Sequence, residues 1–369
     1  MALCIERVRL LMANWIRKID VKQYDKLVVP RKKSATLKWD IRNETEDYSN
    51  SFSITYPELA FYTGLSVLTR CNEIYSPEVV QFAKSYFLTI PAMLNGKKVG
   101  QDVYLALDKE NENLLRDFSK SSRTGEIAQG VNYFYFKKYK NVETVYDYKV
   151  FCETKGCKAK GYSPDYVLVY DDGTIGLLES KGTAKADPSG CIQHGKEQCD
   201  DGQKVLNGYV KNGFVSVVNW ATSKNMRRNT TLFIVDPTTD NNHTETNIDR
   251  HIRYEYSKLF HYIGEKEIYE ALRDDKPIDK KLFEKFEKRG ETILLQSIDV
   301  YEMGQIGLDR IVQDTKDDDI CEEKNEIEII LNEVAMKYLL ANSCEEIKEI
   351  KGYNNISLTN NLSIQAKER

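Results

Sequence analysis

The sequence predicts an α/β protein. Between residues 116 and 240, apolar runs of strand length alternate with segments of helical spacing. One pair of these runs, "SPDYVLVYDDGTIGLLESKG" (163–182), carries the Asp-Asp-Gly turn of a β-hairpin. Beyond Asn241 the apolar spacing becomes mostly helical.

Residues 1 to about 115 are mixed, with a break at Pro30-Arg31-Lys32-Lys33 and a helical stretch near Pro77 to Leu88. The next segment opens with a helix from about Arg123 to Lys140. Ser121 or Ser122 would cap it, and Ile127, Val131 and Phe134 would form its buried stripe. A strand near Val142 to Cys152, the hairpin, and a helix near Lys196 to Lys211 follow. "FVSVVNWATS" and "TTLFIVDP" read as strands, the second stopped by Pro237. The resulting order is α-β-β-β-α-β-β. In the last segment, "EIEIILNEVAMKYLL" from Glu326 has apolar residues at three- and four-residue spacing, and the last fifteen or so residues read as a frayed tail. The chain thus divides into 1–115, 116–240 and 241–369.

At 369 residues there is chain enough for two or three domains, or one core with large additions. No run approaches the ~20 apolar residues of a membrane span, and Glu6, Arg7 and Arg9 interrupt the N-terminus, so it does not read as a signal peptide. Eight cysteines over this length do not suggest a secreted disulfide scaffold. A cytoplasmic protein with no membrane contact is expected. The net charge of −4 hides an asymmetry: eight basic residues lie between Arg17 and Lys38, whereas 316–350 is acidic. A basic segment can follow a polyanion, or it can be a solvated face.

The hairpin raises the question of its charged end. Residues two apart share a face of a strand, so Glu179 and Lys181 project together and Ser180 points away. A two-residue loop at Asp172-Gly173 would set Asp165 opposite Ser180. A three-residue loop, Asp171-Asp172-Gly173, puts glycine where the backbone turns left-handed and pairs Tyr170 with Thr174. Asp165 then lies opposite Glu179, with Cβ atoms roughly 4.5–5.5 Å apart. Carboxylates that close repel unless a proton or a cation lies between them. Such a pair suits hard Mg²⁺ or Mn²⁺. Lys181 could orient or deprotonate water, or stabilise developing negative charge. The competing reading is an exposed hairpin end with an ordinary Glu–Lys pair. The apolar run "IGLLES" before the charges and the surrounding element order favour the site.

Pro164-Asp165, thirteen intervening residues, then Glu179-Ser180-Lys181 resembles the PD-(D/E)XK nuclease superfamily, over about residues 116–240. The resemblance implies a restriction-endonuclease-like core, a mixed central β-sheet flanked by helices. It further implies Asp165 and Glu179 as metal ligands, Lys181 as the catalytic lysine, and Mg²⁺ (or Mn²⁺) as cofactor. Members often place another acidic residue on the preceding helix, and here Glu126 is either that ligand or a first-turn glutamate favoured by the helix dipole. After the hairpin, Lys196 and Gln198 are expected at phosphate or water. Arg31, Lys32, Lys33, Lys224, Arg227 and Arg228 are expected as phosphate contacts.

The function expected is a DNA endonuclease in bacterial restriction or antiphage defence, acting as a homodimer or as a subunit of a defence complex. Residues 1–115 would then serve recognition or assembly. The rivals are an RNase or triggered nonspecific nuclease, and a noncatalytic nucleic-acid-binding subunit. Cys152, Cys157, Cys191 and Cys199 cluster near the motif, but their spacing is unlike a zinc knuckle and they are expected to be incidental.

Overall fold

The structure, a computed structural model, describes residues 15–25, 29, 39–68, 75–108, 117–159, 161–222, 228–239, 246–299, 326–341, 346–347, 350 and 356–367. Chain order begins with β1 (Ile16–Asp25), β2 (Tyr48–Thr55), α1 (Tyr56–Leu68), α2 (Pro77–Lys84), α3 (Tyr86–Met93), β3 (Leu94–Val99) and β4 (Asp102–Leu107). Then come α4 (Asp117–Tyr139), β5 (Val142–Asp147), α5 (Tyr148–Thr154), β6 (Tyr166–Tyr170), β7 (Ile175–Thr183), α6 (Ser189–Val205), β8 (Val210–Asn219) and β9 (Thr231–Thr239). The C-terminal part holds α7 (Ile248–Ile263), α8 (Lys266–Arg273), β10 (Glu287–Arg289), β11 (Thr292–Asp299), β12 (Glu326–Asn332), α9 (Glu333–Leu340), α10 (Leu358–Asn361) and β13 (Leu362–Lys367).

Nine strands form one mixed sheet in the order β3-β4-β1-β9-β8-β7-β6-β5, with β2 paired to β1 off that path. β5, β6 and β7 form an antiparallel meander, and β7 pairs in parallel with β8 across the α6 crossover. β1 runs parallel to β9, so strands from the first hundred residues extend the same sheet. Helices cover both faces of its centre: α4 packs on β5, β7 and β8, and α6 packs on β7 and β8 from the other side. Side-chain alternation divides the core accordingly. Tyr166, Leu168, Leu178, Phe214, Val218, Leu232 and Ile234 join the α4-side cluster. Val167, Val169, Ile175, Leu177, Val215, Val217, Phe233 and Val235 join the α6-side cluster. A sheet buried on both faces explains the near-continuous apolar runs. Among the described residues no helix is long and apolar enough to cross a membrane.

Several elements depart from the sequence reading. α4 begins at Asp117, ahead of the expected caps Ser121 and Ser122, although Ile127, Val131 and Phe134 are buried as expected. The strand expected to reach Cys152 ends at Asp147, because that carboxylate accepts the N–H groups of Lys149 and Val150 and starts α5. α6 spans Ser189–Val205, starting and ending earlier than expected: Asp187 accepts the Ser189 N–H before it, and Gly208, at φ +83°, turns the chain after it. β9 runs through Pro237 to Thr239. Its register against β8 shifts by one residue between Gly213 and Val215, which leaves the proline in a bulge beyond the last β1 pair, Asp25 with Asp236.

The C-terminal region carries the expected helices but also a four-stranded antiparallel sheet, β10-β11-β12-β13. The run from Glu326 is a strand followed by a helix, with Asn332 capping α9 through Val334 N–H. Ile327, Ile329 and Leu331 alternate on one face, and the buried Glu328 between them is neutralised by Arg289 at 2.9 Å and Lys367 at 3.2 Å. Those partners are remote in sequence, which is why the strand period was hidden. The expected frayed tail includes α10 and β13, the latter paired with β12.

α7 is tied to α4 and β5 through buried charge. Glu255 accepts from Tyr133 Oη at 2.7 Å and lies 2.5 Å from Lys258 Nζ and 3.5 Å from Lys137 Nζ. Lys258 also donates to the Val145 carbonyl at 2.6 Å. Burial favours a protonated Glu255, but Lys137 and Lys258 outweigh it and hold its pKa below the ordinary value. Removing the carboxylate strands two buried ammonium groups. Glu255→Ala is therefore expected to lower the unfolding free energy by about 3–5 kcal/mol, read by urea denaturation. A loss below about 1 kcal/mol would mean that the network is solvated after all.

Candidate active site

The hairpin takes the three-residue loop. Tyr170 N–H donates to Thr174 O at 2.9 Å, Gly173 N–H donates to Tyr170 O at 3.0 Å, and Gly173 has φ +77°. The ladder pairs Tyr166 with Leu178 and Val169 with Ile175, so Asp165 falls opposite Glu179. Both lie on the α6 side, in phase with Val167 and Leu177, and Lys181 follows on the same face. The turn is also held from outside, since Thr246 N–H and Oγ1 donate to Gly173 O at 3.1 and 3.0 Å.

The two acids are interlocked through each other's backbone. Asp165 N–H donates to Glu179 Oε2 at 2.9 Å, and Ser180 N–H donates to Asp165 Oδ2 at 3.1 Å. Glu179 Oε1 meets the Lys181 ammonium. Glu179 is fully buried under α6, where Gly195 makes room: a Cβ there would lie 3.2 Å from Glu179 Cγ and 2.5 Å from Val215 Cγ1. Burial first, and the Asp165 carboxylate second, push the Glu179 pKa up to about 8. Burial works against the Lys181 ammonium, but Glu179 and then Asp165 outweigh it and raise the Lys181 pKa above the ordinary lysine value. Lys181 is therefore held charged, while its side chain remains about 30% exposed, the open side of the group.

Neighbours that sequence reasoning missed hold this group from both sides. On the α4 face, Asn132 Nδ2 donates to Ser180 Oγ at 2.6 Å, and Ser216 Oγ donates to Asn132 Oδ1 at 2.5 Å. A buried Asn on an otherwise apolar helix stripe is the signal that could have found it. Before β6, Tyr148 N–H at the start of α5 donates to Asp165 O at 3.0 Å.

The other expected residues have separate engagements. Glu126 binds Tyr86 Oη at 2.6 Å and Arg123 at 3.1 Å. Its helix lies on the opposite sheet face from Glu179, with Thr124 O and Ala128 against Gly182, and Glu126 is not brought to the acid pair. Lys196 pairs with Asp200 at 2.9 Å, and Gln198 Nε2 donates to Ser163 O at 2.9 Å, just ahead of Pro164-Asp165. Arg228 donates to the carbonyls of Ala184, Lys185 and Trp220 and to Asn219 Oδ1, so it staples the loop after β7 to the end of β8. Arg31, Lys32, Lys33, Lys224 and Arg227 lie outside the described residues. Cys152, Cys157, Cys191 and Cys199 are free thiols, and Cys199 donates to Phe214 O.

A divalent cation fits the acid pair. Two opposed carboxylates, one with its pKa raised by burial and then by the other, form a donor set that a hard cation would relieve. Among the described residues no group of three or more His, Cys, Asp or Glu side chains converges. The protein would thus offer two carboxylates and leave further positions to backbone oxygen, water or substrate phosphate, a common way of holding Mg²⁺. Comparison with protein-family models, curated proteins and solved structures finds no match.

Gly173 determines the register by backbone conformation and by space. Gly173→Val is expected to destabilise the fold by roughly 1–3 kcal/mol, and to weaken Mn²⁺ binding measured by calorimetry. Gly173→Asn tolerates positive φ, yet any Cβ there meets Thr246 O at 2.9 Å, so it should be milder than valine without being silent. Wild-type Mn²⁺ affinity in Gly173→Val would remove the turn from the argument.

Glu179 yields a pH signature. Its folded pKa of about 8 exceeds the unfolded value of about 4.3. The native state therefore binds more protons between these values, and the stability contributed by the protonated acid is lost as pH rises through that window. In EDTA, wild-type stability should fall from pH 5 to 8 relative to Glu179→Gln. A stability difference that stays constant with pH would contradict the raised pKa.

Proposed function

We propose that the chain is a divalent-metal-dependent nuclease hydrolysing phosphodiester bonds, with DNA as its substrate. The observation that carries this reading is the grouping of Asp165, Glu179 and a charged Lys181 on one face at the end of β6 and β7. The interlocked backbone bonds support it too, because they keep two repelling acids opposed where an ordinary hairpin end would let them splay. Apart from the short α5, which the sequence reading took as part of a strand, the order α4-β5-β6-β7-α6-β8 around the site follows the one on which the resemblance to restriction-endonuclease-like cores rests. A defence setting is the context that resemblance suggests.

Asp165 and Glu179 would hold the cation. When bound, Mg²⁺ or Mn²⁺ would lower the pKa of water and offset charge building up on the phosphate. The chain's own contribution is positional and electrostatic. Lys181, kept protonated by the acid pair, is suited to stabilise negative charge on a phosphate oxygen or to orient water, rather than to take a proton. The Ser180–Asn132–Ser216 chain ties β7 and β8 to α4 beside the acids. Gly195 lets α6 close over Glu179 and exclude water from it.

The test is incubation of purified protein with plasmid DNA and with RNA, in Mg²⁺, Mn²⁺ or EDTA. Cleavage should require the cation. Asp165→Ala and Glu179→Ala should lose metal binding, whereas Lys181→Ala should bind metal yet cut on the order of 10²–10³-fold more slowly. Undiminished cleavage in all three variants would overturn the assignment. Cleavage of RNA alone would make the chain an RNase, and binding of nucleic acid without cleavage would make it a noncatalytic subunit.

A further inference from the structure

A second concavity of about 620 Å³ lies away from the acid pair, between α5, the chain leading into α7, and α8. Its lining combines cations with aromatic rings. Lys155 sits over the rings of Phe151 and Tyr209, at 5.4 and 5.3 Å. Arg250 projects from the first turn of α7. Among the described residues neither Lys155 nor Arg250 has a carboxylate within ion-pair distance, and Arg273, also in the lining, is already paired with Asp274 at 2.7 Å. Glu153, exposed at the rim, is the one carboxylate among the described lining residues.

The back wall is built in advance. Tyr254 stacks on Tyr146 at 4.1 Å, and the buried Tyr254 hydroxyl has no hydrogen-bond partner among the described residues. His251 bridges Tyr146 Oη at 2.7 Å and Thr246 Oγ1 at 3.0 Å. Burial, then Lys155 and Arg250, lower the His251 pKa to about 4, so the ring is neutral near pH 7 and adds no positive charge to that of Lys155 and Arg250. Two cations held close together with no ion-pair carboxylate among the described residues are the electrostatic inverse of the acid pair: they favour an anion between them. The apolar and aromatic remainder of the wall suits a planar ring.

We propose that this cavity binds a phosphate monoester carrying an aromatic base, a ligand of the nucleoside monophosphate class. The phosphate lies between Lys155 and Arg250, and the base lies against the tyrosine wall. The volume falls within the roughly 300–1,000 Å³ of small-ligand sites. A cavity whose two cations, Lys155 and Arg250, have no carboxylate in ion-pair distance among the described residues offers charge for one phosphate group rather than a track for a polyanionic strand. The proposal is independent of the nuclease reading.

The test is calorimetric titration of the full chain with adenosine 5′-monophosphate, adenosine and inorganic phosphate. The monophosphate should bind one to one, and the nucleoside and phosphate each about tenfold or more weakly. Lys155→Gln/Arg250→Gln should abolish binding, and Arg250→Gln alone, at an exposed side chain, should weaken it about tenfold. Asp165→Ala should bind as the wild type does, which separates this cavity from the acid pair. No binding of the monophosphate, or binding unchanged in Arg250→Gln, would overturn the proposal. So would a loss in Asp165→Ala equal to that in Arg250→Gln. Should the double variant fail to fold, the wild-type titrations and the single variant still decide.

Discussion

Two carboxylates held opposite each other at the buried end of a strand pair constrain the structure around them. Asp165 and Glu179 repel, and β6 and β7 must keep them together. Each acid accepts the other strand's backbone N–H, which replaces lost hydration with directed hydrogen bonds. Lys181 adds the one positive side chain in reach of Glu179 among the described residues. A one-residue slip would send every one of these side chains to the α4 face. The left-handed Gly173 therefore matters at a distance, and Thr246 matters because it holds that turn in place.

The sheet supplies the rigidity that this arrangement needs. β7 lies within the nine-stranded sheet, with antiparallel β6 on one edge and parallel β8 on the other. Apolar layers cover both faces, so its side chains have few alternatives. The α4 layer is itself anchored by charge. Glu255 of α7 gathers Lys137, Lys258 and Tyr133 in a site without solvent, where a full set of hydrogen bonds is needed to offset desolvation. Through that network the C-terminal helices brace the helix on which β7 rests. Arg228 does comparable work on the other end of β7 by tying the loop at 184–185 to β8.

Much of the candidate site was legible from residue order because it depends on short-range geometry. Alternation put Glu179 and Lys181 on one face, and the position of one glycine distinguished a three-residue loop from a two-residue one. Errors fell where a partner far along the chain decides. "EIEIIL" can be a helix face until Arg289 and Lys367 neutralise Glu328 and leave a strand. Asp147 and Pro237 look like a strand interior and a strand stop, yet one caps a helix and the other sits in a bulge. Glu126, read either as a further metal ligand or as a first-turn glutamate, lies nine residues into a helix that starts at Asp117, where it binds Tyr86 and Arg123.

By itself, then, the sequence determined the α/β class, the hairpin register, and the shared face of Asp165, Glu179 and Lys181, since each follows from backbone periodicity and from the few residues that tolerate positive φ. Tertiary structure alone decided how deeply Glu179 is buried, that Lys181 stays charged, and that the first hundred residues extend the same sheet. It also decided that Lys155 and Arg250, ninety-five positions apart, share one cavity. Burial and electrostatic environment are sums over neighbours from the whole chain, and no local window of sequence contains those neighbours.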